Sequence, residues 1–315
     1  MSVEPSLQDE AARAGWLYYV AGMTQDQIAT ELGVSRQRAQ RLVSRAMTEG
    51  LIHVRLNHQI GACLDLEAAL TDRFHLTRCR VAPSLGAGVD PARAIAPAAA
   101  AELERVLRAT EPLVIAFGTG RALRAMAEQF TFAEPVKHRI VSLLGNIAPD
   151  GSATLYDVIS RIAEKLKATY YPMPVPVISD TPEEREFFMH LRPVRTVFNL
   201  ARQADVTFVG VGQMGPDAPL ALDGFVTPET LRELQAQGSV GEIGSWVFDA
   251  DGRYIDSPRN ALVGGVRVEP GQTQPVIAVA AGRAKVPAIR AALTGRIING
   301  LVTDENTAAA LLQAG

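Results

Sequence analysis

Apolar residues recur at two different periods along the chain, and the change of period divides it. From Leu7 to Thr48 they follow helical spacing. Residues 7–21 read as a first helix, with Trp16, Leu17 and Val20 as expected core positions and Gly22 as its end. Ile28, Ala29 and Leu32 share one face of a second helix, and Ala39, Leu42, Val43 and Ala46 one face of a third. Thr24 is placed to cap the second helix, with Gln27 completing a capping box, and Ser35 to cap the third. Gly33 between them suits the left-handed residue that ends a helix. Two short helices joined by a tight glycine turn form a helix-turn-helix. Beyond Gly50, Leu51, His53 and Arg55 alternate with Ile52, Val54 and Leu56, the period of a short wing strand. An all-α, winged helix-turn-helix domain is therefore expected over residues 1–56.

Residues 57–315 carry a different pattern. Leu64, Leu66, Ala69, Leu70 and Phe74 form a helical stripe suited to joining the domains or to pairing with a second subunit. Strands then alternate with helices. Strands are expected at 79–82, 113–117, 140–144, 206–211 and 276–280, and helices at 94–107, 121–130 and 156–168. A last helix at 285–293 and a last strand at 297–303 complete the series. Such alternation predicts a Rossmann-like α/β domain, a parallel sheet with helices on both faces.

Composition narrows the partners. A chain of 315 residues with 47% hydrophobic content suits two domains with sizeable cores, and a net charge of −3 does not suit a general nucleic-acid sponge. Positive charge is instead concentrated on the third helix, where Arg36, Arg38, Arg41 and Arg45 lie in a stretch free of acidic residues from Leu32 to Thr48. Arg36, Gln37 and Gln40 lie in its first turns, where a recognition helix meets base edges. Arg41 and Arg45 are better placed for phosphates, and Thr24, Gln25 and Ser35 at the helix starts complete the expected surface for double-stranded DNA. A solvated basic helix in an ordinary hairpin, or a helix-turn-helix used for protein contacts, is the alternative. Cys63 and Cys79 cannot make a disulfide framework, and His53, His58 and Cys63 match no familiar metal spacing. No metal or other cofactor is expected. The N-terminus lacks a signal-peptide pattern and no apolar run is long enough to span a bilayer, so a cytoplasmic location with no membrane partner is expected.

Ligands of parallel sheets bind beyond the carboxyl ends of the strands. Four glycine-bearing loops fall at expected strand ends: Gly118-Thr119-Gly120-Arg121, Gly145-Asn146, Gly210-Val211-Gly212-Gln213 and Gly282-Arg283-Ala284-Lys285. Glycine lets backbone approach a ligand, and free amides at a helix start can hold a hydroxyl or a phosphate. Lys285 lies between an apolar strand and an apolar helix, where a lysine calls for a partner; Glu242 and Asp249 are the candidates. A structural ion pair or a snorkelling surface lysine is the alternative.

Three blocks carry a family resemblance: MTQDQIATELGVSRQRAQRLVSRA near the start, GEIGSWVFDADG in the centre, and AGRAKVPAIRAALTGRIINGLVTDENTAAALL near the end. With them the chain, from about Ala11 onward, resembles the SorC family of bacterial sugar-responsive transcription regulators. The resemblance implies an effector domain like those of phosphosugar isomerases and deaminases, used for sensing and oligomerisation. It implies that Gly118, Thr119, Gly120 and Arg121 form a ligand loop, with Glu242, Asp249 and Lys285 around the sugar. Ala122 stands where family members often have threonine or serine, which weakens the expectation of a phosphate and leaves room for an unphosphorylated sugar or polyol. The expected function is regulation of a carbohydrate operon by effector-controlled DNA binding, as a homodimer or tetramer. The alternative is a sugar-phosphate isomerase or deaminase with an appended DNA module, although no segment offers a clear acid–base pair.

Overall fold

The computed structural model describes residues 6–52, 54, 60–86, 88–131, 136–153 and 158–313. The chain forms two compact units, Met1–His58 and Gln59–Gly315. The first contains α1 (Leu7–Tyr19), α2 (Gln25–Leu32) and α3 (Arg36–Thr48). Both expected caps are present. Thr24 and Gln27 exchange capping-box bonds at α2, and the Ser35 hydroxyl accepts from Arg38 N at 3.2 Å to start α3. Gly33, at φ +64°, makes the turn between them. Two ion pairs tie the helices: Arg38 to Glu10 at 2.8 Å and Arg36 to Asp26 at 3.4 Å.

Trp16 and Val20 do not enter this core: they are 55% and 66% exposed, while Leu17 is buried. The buried face of α1 is instead built of Ala11, Ala14, Gly15 and Leu17. A Cβ on Gly15 would lie 2.8 Å from Ala46 Cβ and would overlap Ile52, so α1 and α3 approach too closely for large side chains between them. The expected wing falls partly on residues 53 and 55–59, outside the described residues; Leu51, Ile52 and Val54 form no strand.

The second unit opens with α4 (Gly61–Phe74), β1 (Arg78–Ala82) and α5 (Pro91–Leu107), followed by β2 (Val114–Phe117), α6 (Arg121–Gln129) and β3 (Arg139–Ile147). Next come α7 (Val158–Leu166), β4 (Thr169–Pro176), α8 (Pro182–His190), α9 (Arg192–Arg202) and β5 (Val206–Val209). A subsidiary region holds β6 (Gly212–Gln213), α10 (Pro219–Leu222), α11 (Pro228–Ala236), β7 (Gly241–Ile243) and β8 (Trp246–Phe248). The chain closes through β9 (Val276–Val279), a 3-10 turn at Arg283–Lys285, α12 (Val286–Thr294), β10 (Gly300–Asp304) and α13 (Glu305–Gln313). The expected last strand is thus followed by a further helix. It also begins later than expected, because Ile297 and Ile298 pack in the preceding turn.

Seven strands form one parallel sheet in the order β1-β10-β9-β5-β2-β3-β4. Its central strands β2 and β9 are apolar throughout, and β5 is apolar apart from Thr207, because both faces are covered. On β2, Val114 and Ala116 join the core beneath α4, α9, α12 and α13, while Ile115 and Phe117 join the core beneath α5, α6 and α7. β9 divides its residues in the same way. Leu66, Leu70 and Phe74 of α4, part of the stripe expected to join the domains or to pair with a second subunit, pack on the first of these cores, while Leu64 is exposed. β6, β7 and β8 make a separate antiparallel sheet that packs with α10 and α11 around Met214, Leu220, Leu234 and Val247.

Candidate functional site

Apart from Met47, the exposed residues of α3 are polar or charged. Ala39, Leu42, Val43 and Ala46 turn inward, which leaves Gln37, Gln40, Arg41, Ser44, Arg45 and Thr48 lining a shallow groove along the outside. These positions follow the i, i+3, i+4 spacing of one helix face. Arg36 and Gln40 are exposed, and Arg36 is engaged with Asp26 in a solvated pair that costs little to exchange for a base or phosphate. Arg45 lies 2.5 Å from Glu49 one turn on. Thr24 and Ser35 use their hydroxyl oxygens as helix caps, and Gln25 is half-buried at the start of α2.

In the effector unit, topology fixes where a ligand can bind. From β2 the chain runs outward through β3 to β4, then returns to β5 on the other side of β2 and continues to β9 and β10. The reversal leaves a crevice beyond the carboxyl ends of β2 and β5, the position where parallel sheets bind ligands. Gly118 N donates to Phe208 O at 2.8 Å and holds the two strand ends together, and a Cβ on Gly210 would come within 3.1 Å of Thr119 O. A cavity of about 350 Å³ opens here. Thr119, Gly120 and Arg121 line it after β2, Asp150 and Ser152 after β3, Gly210 to Gly212 after β5, and Lys285 after β9. Leu220, Asp223 and Phe225 of the α10–α11 segment and Glu242, Gly244 and Ser245 of the β7–β8 hairpin complete the wall. Apolar walls with a few convergent polar groups describe a small-molecule site.

The hairpin presents Glu242 in a fixed pose. Gly244 and Ser245 both have positive φ, and Ser245 N donates to the Glu242 carboxylate at 2.8 Å. Arg259, whose pKa burial pushes down to about 10, braces the same turn from behind by donating to Ser245 O at 2.6 Å. Burial also holds the Glu242 carboxyl above the usual glutamate range, against the Ser245 hydrogen bond and the charges of Arg259 and Lys285. Lys285 is held below the usual lysine range by burial, although Glu242 and, next, Asp90 favour its charge. The Lys285 loop is anchored from α13. Thr307 Oγ1 accepts from Gly282 N at 2.8 Å, and Asp304 accepts from Thr307 N at 2.9 Å. At the mouth, Arg121 meets Asp223 at 3.2 Å.

Of the residues singled out in the sequence, Thr119, Gly120, Arg121, Glu242 and Lys285 converge on the cavity. Gly118 is buried behind it at the end of β2. Gly145 and Asn146 lie elsewhere, because β3 continues to Ile147 and Gly145 pairs with Met173 of β4; the loop that reaches the cavity is 148–153. Gln213 turns its amide into its own loop, accepting from Gly215 N and donating to Asp217 O at 2.8 Å. Asp249 is not a partner of Lys285; it closes a turn by accepting from Asp251 N and Arg253 N at 2.9 and 2.8 Å. Sequence reasoning missed Asp150, Asp223 and Ser245. Pro149-Asp150-Gly151 and Asp223-Gly224 are turn signals that mark two of those three positions. His53 and His58 lie outside the described residues. Cys63 is buried on α4, with its thiol pushed up to about 11 by burial.

Comparison with known proteins accounts for both units. Residues 58–313 match the family described as "Putative sugar-binding domain", and residues 7–55 match the family described as "Homeodomain-like domain". The chain is 36% identical over 302 residues to the erythritol catabolism regulatory protein EryD of Brucella abortus, covering 96% of each chain. It is 30% identical over 312 residues to the transcriptional regulator LsrR of Escherichia coli K12, covering 98% of this chain and 95% of that one. The crystal structure of the full-length sorbitol operon regulator SorC from Klebsiella pneumoniae superposes with a TM-score of 0.72 at 28% identity, covering 96% and 98% of the two chains. These relatives are regulators, not isomerases or deaminases, and the chain is accordingly not an enzyme. It is a DNA-binding transcriptional regulator with a sugar-binding domain, a member of the SorC family.

Proposed function

We propose that this chain is a cytoplasmic regulator of a carbohydrate catabolic operon, in which residues 1–56 read the operator and residues 57–315 sense a small sugar or polyol in the cavity at the β2–β5 crevice. The observation that carries the reading is the convergence of Glu242, Lys285 and Thr119 on one largely apolar cavity at the topological switch of the sheet. A carboxylate accepts hydroxyl protons, an ammonium donates to hydroxyl oxygens, and apolar walls cover the C–H faces of a polyol. The kinship with a protein named for erythritol catabolism supports a short polyol as the first class to try. The direct test is a thermal-shift screen of uncharged and phosphorylated sugars and polyols, since a ligand that binds only the native state raises the Tm. Lys285→Met, which keeps the packing stem, is expected to lose about tenfold to a hundredfold in effector affinity, the weight of a charge-assisted hydrogen bond of about 1.5–3 kcal/mol. A folded methionine variant that binds as tightly as the wild type makes Lys285 structural.

On the DNA side, Arg36, Gln37 and Gln40 take base edges in this proposal, Arg41 and Arg45 take phosphates, and Thr24, Gln25 and Ser35 contact the backbone at the helix starts. A homodimer or tetramer supplies two such helices to two half-sites. Arg36→Ala and Gln40→Ala are expected to lose discrimination between operator and random duplex, by about 1–3 kcal/mol for each lost bidentate contact. Arg45→Ala is expected to weaken both duplexes alike and to flatten the salt dependence by about one unit of slope. Equal losses on both duplexes in all three variants would remove the groove assignment.

A further inference from the structure

Five charged side chains line the cavity, and Arg121 and Asp223 among them form an ion pair. Its cations are Arg121 and Lys285; its carboxylates are Asp150, Asp223 and Glu242. Lys285 has Glu242 as the main charge favouring its ionised form. Arg121 has Asp223, at 3.2 Å from its Nη2. That ion pair occupies a particular place. Arg121 is the first residue of α6, whose N-cap is Gly120 with no side-chain cap, and the next residue, Ala122, brings no hydroxyl. An arginine beside an open helix start is where an anionic ligand would sit. Here the Asp223 carboxylate of the chain itself already engages that arginine. Asp223 is brought there by the end of α10 and the turn at Gly224, whose φ is +77°.

Resting on the reading of this cavity as the effector site, we propose that Asp223 sets its specificity: its carboxylate stands in at Arg121 for an anion, so the site selects an uncharged polyol over the phosphate ester of the same polyol. A phosphate entering the cavity has to displace Asp223 from Arg121 or lie beside it, and three carboxylates against two cations repel a dianion in either case. An uncharged polyol meets no such opposition. It can donate to Asp223 and Glu242 and accept from Lys285 without breaking the Arg121–Asp223 ion pair. The selectivity is therefore built by like charge against the wrong ligand as much as by contacts with the right one.

The test uses the full-length chain with inorganic phosphate as the anionic probe and erythritol, xylitol and sorbitol as uncharged probes, followed by calorimetry and by Tm. Asp223→Asn keeps the shape of the side chain and removes its charge. The expected result is weak phosphate binding by the wild type and a gain of about tenfold or more in Asp223→Asn. That gain is expected to disappear when Lys285→Met is added, because the second cation of the cavity is then missing. Asp223→Ser serves as a second neutral variant should the asparagine fold poorly. Phosphate binding to the wild type as tight as to Asp223→Asn overturns the proposal, as does a gain that Lys285→Met leaves intact, since the anion then lies outside the cavity. Failure of the cavity reading itself looks different: no uncharged polyol or sugar then protects the wild type at all, and the specificity assignment falls with it.

Discussion

Glu242 and Lys285 face the same cavity with opposite displacements. Burial raises the first pKa and lowers the second, so the charged form of each is held against its environment. Free of ligand, both charges disfavour the fold. The contribution of Glu242 to stability declines as pH rises through its raised pKa, and that of Lys285 declines as pH falls through its lowered one. In the proposed effector site, ligand hydroxyls would bond to the charged forms, so affinity is expected to be greatest where both are ionised. Binding should therefore weaken on the acid side at a higher pH than an ordinary glutamate would give. On the alkaline side it should weaken at a lower pH than an ordinary lysine would give. Calorimetric titration of an uncharged effector across pH checks this, and flat affinity across both limbs would show that neither group bonds the ligand. Lys285 was legible in the sequence because a lysine between two apolar elements needs a reason. Its partner was half legible: Glu242 and Asp249 are seven residues apart in one polar segment, and only the hairpin turn at Gly244-Ser245 decides which faces the cavity.

The elements that hold the site differ in how openly the sequence declares them. β2 and β9 are unbroken apolar runs, and β5 is interrupted only by Thr207, because helices cover both faces of the sheet, and their positions follow from the sequence almost residue by residue. β4 is obscured by Pro172, Pro174 and Pro176, which are tolerated because it is the edge strand. The three strands of the small antiparallel sheet are two or three residues each, too short for a period to register. α1 misled in another way. Large apolar residues are the usual core candidates, yet Gly15 and two alanines make the contact and Trp16 is left outside. The terminal segment is the reverse case, a specific block whose physical purpose emerges from the fold: Asp304 caps α13, and Thr307 on that helix holds the amide of Gly282 at the start of the lysine loop. Thr307→Val keeps the volume and leaves Gly282 N without that acceptor. It is expected to cost about 1–3 kcal/mol of stability and to weaken effector binding, although Thr307 does not line the cavity. Loss of stability with unchanged affinity, measured by denaturation and calorimetry on the same sample, would limit Thr307 to the fold.

At the scale of the whole molecule, the proposed function divides between the two units, DNA reading assigned to the outer face of α3 and effector binding to the cavity at the sheet crevice. Regulation requires a coupling free energy between them, typically about 1–3 kcal/mol, or roughly fivefold to a hundred-and-fiftyfold in operator affinity. Reciprocity then demands that operator DNA change effector affinity by the same factor. The measurement closest to the central claim is operator binding by fluorescence anisotropy at fixed salt. The duplex is one selected by the protein from a random pool, titrated with and without the polyol that raises the Tm most. The polyol is expected to shift operator affinity of the wild type by at least about fivefold. Lys285→Met is expected to bind the same operator normally but not to respond at that polyol concentration. An operator affinity that the polyol leaves unchanged, or shifts equally in wild type and Lys285→Met, would rule out effector control through this cavity.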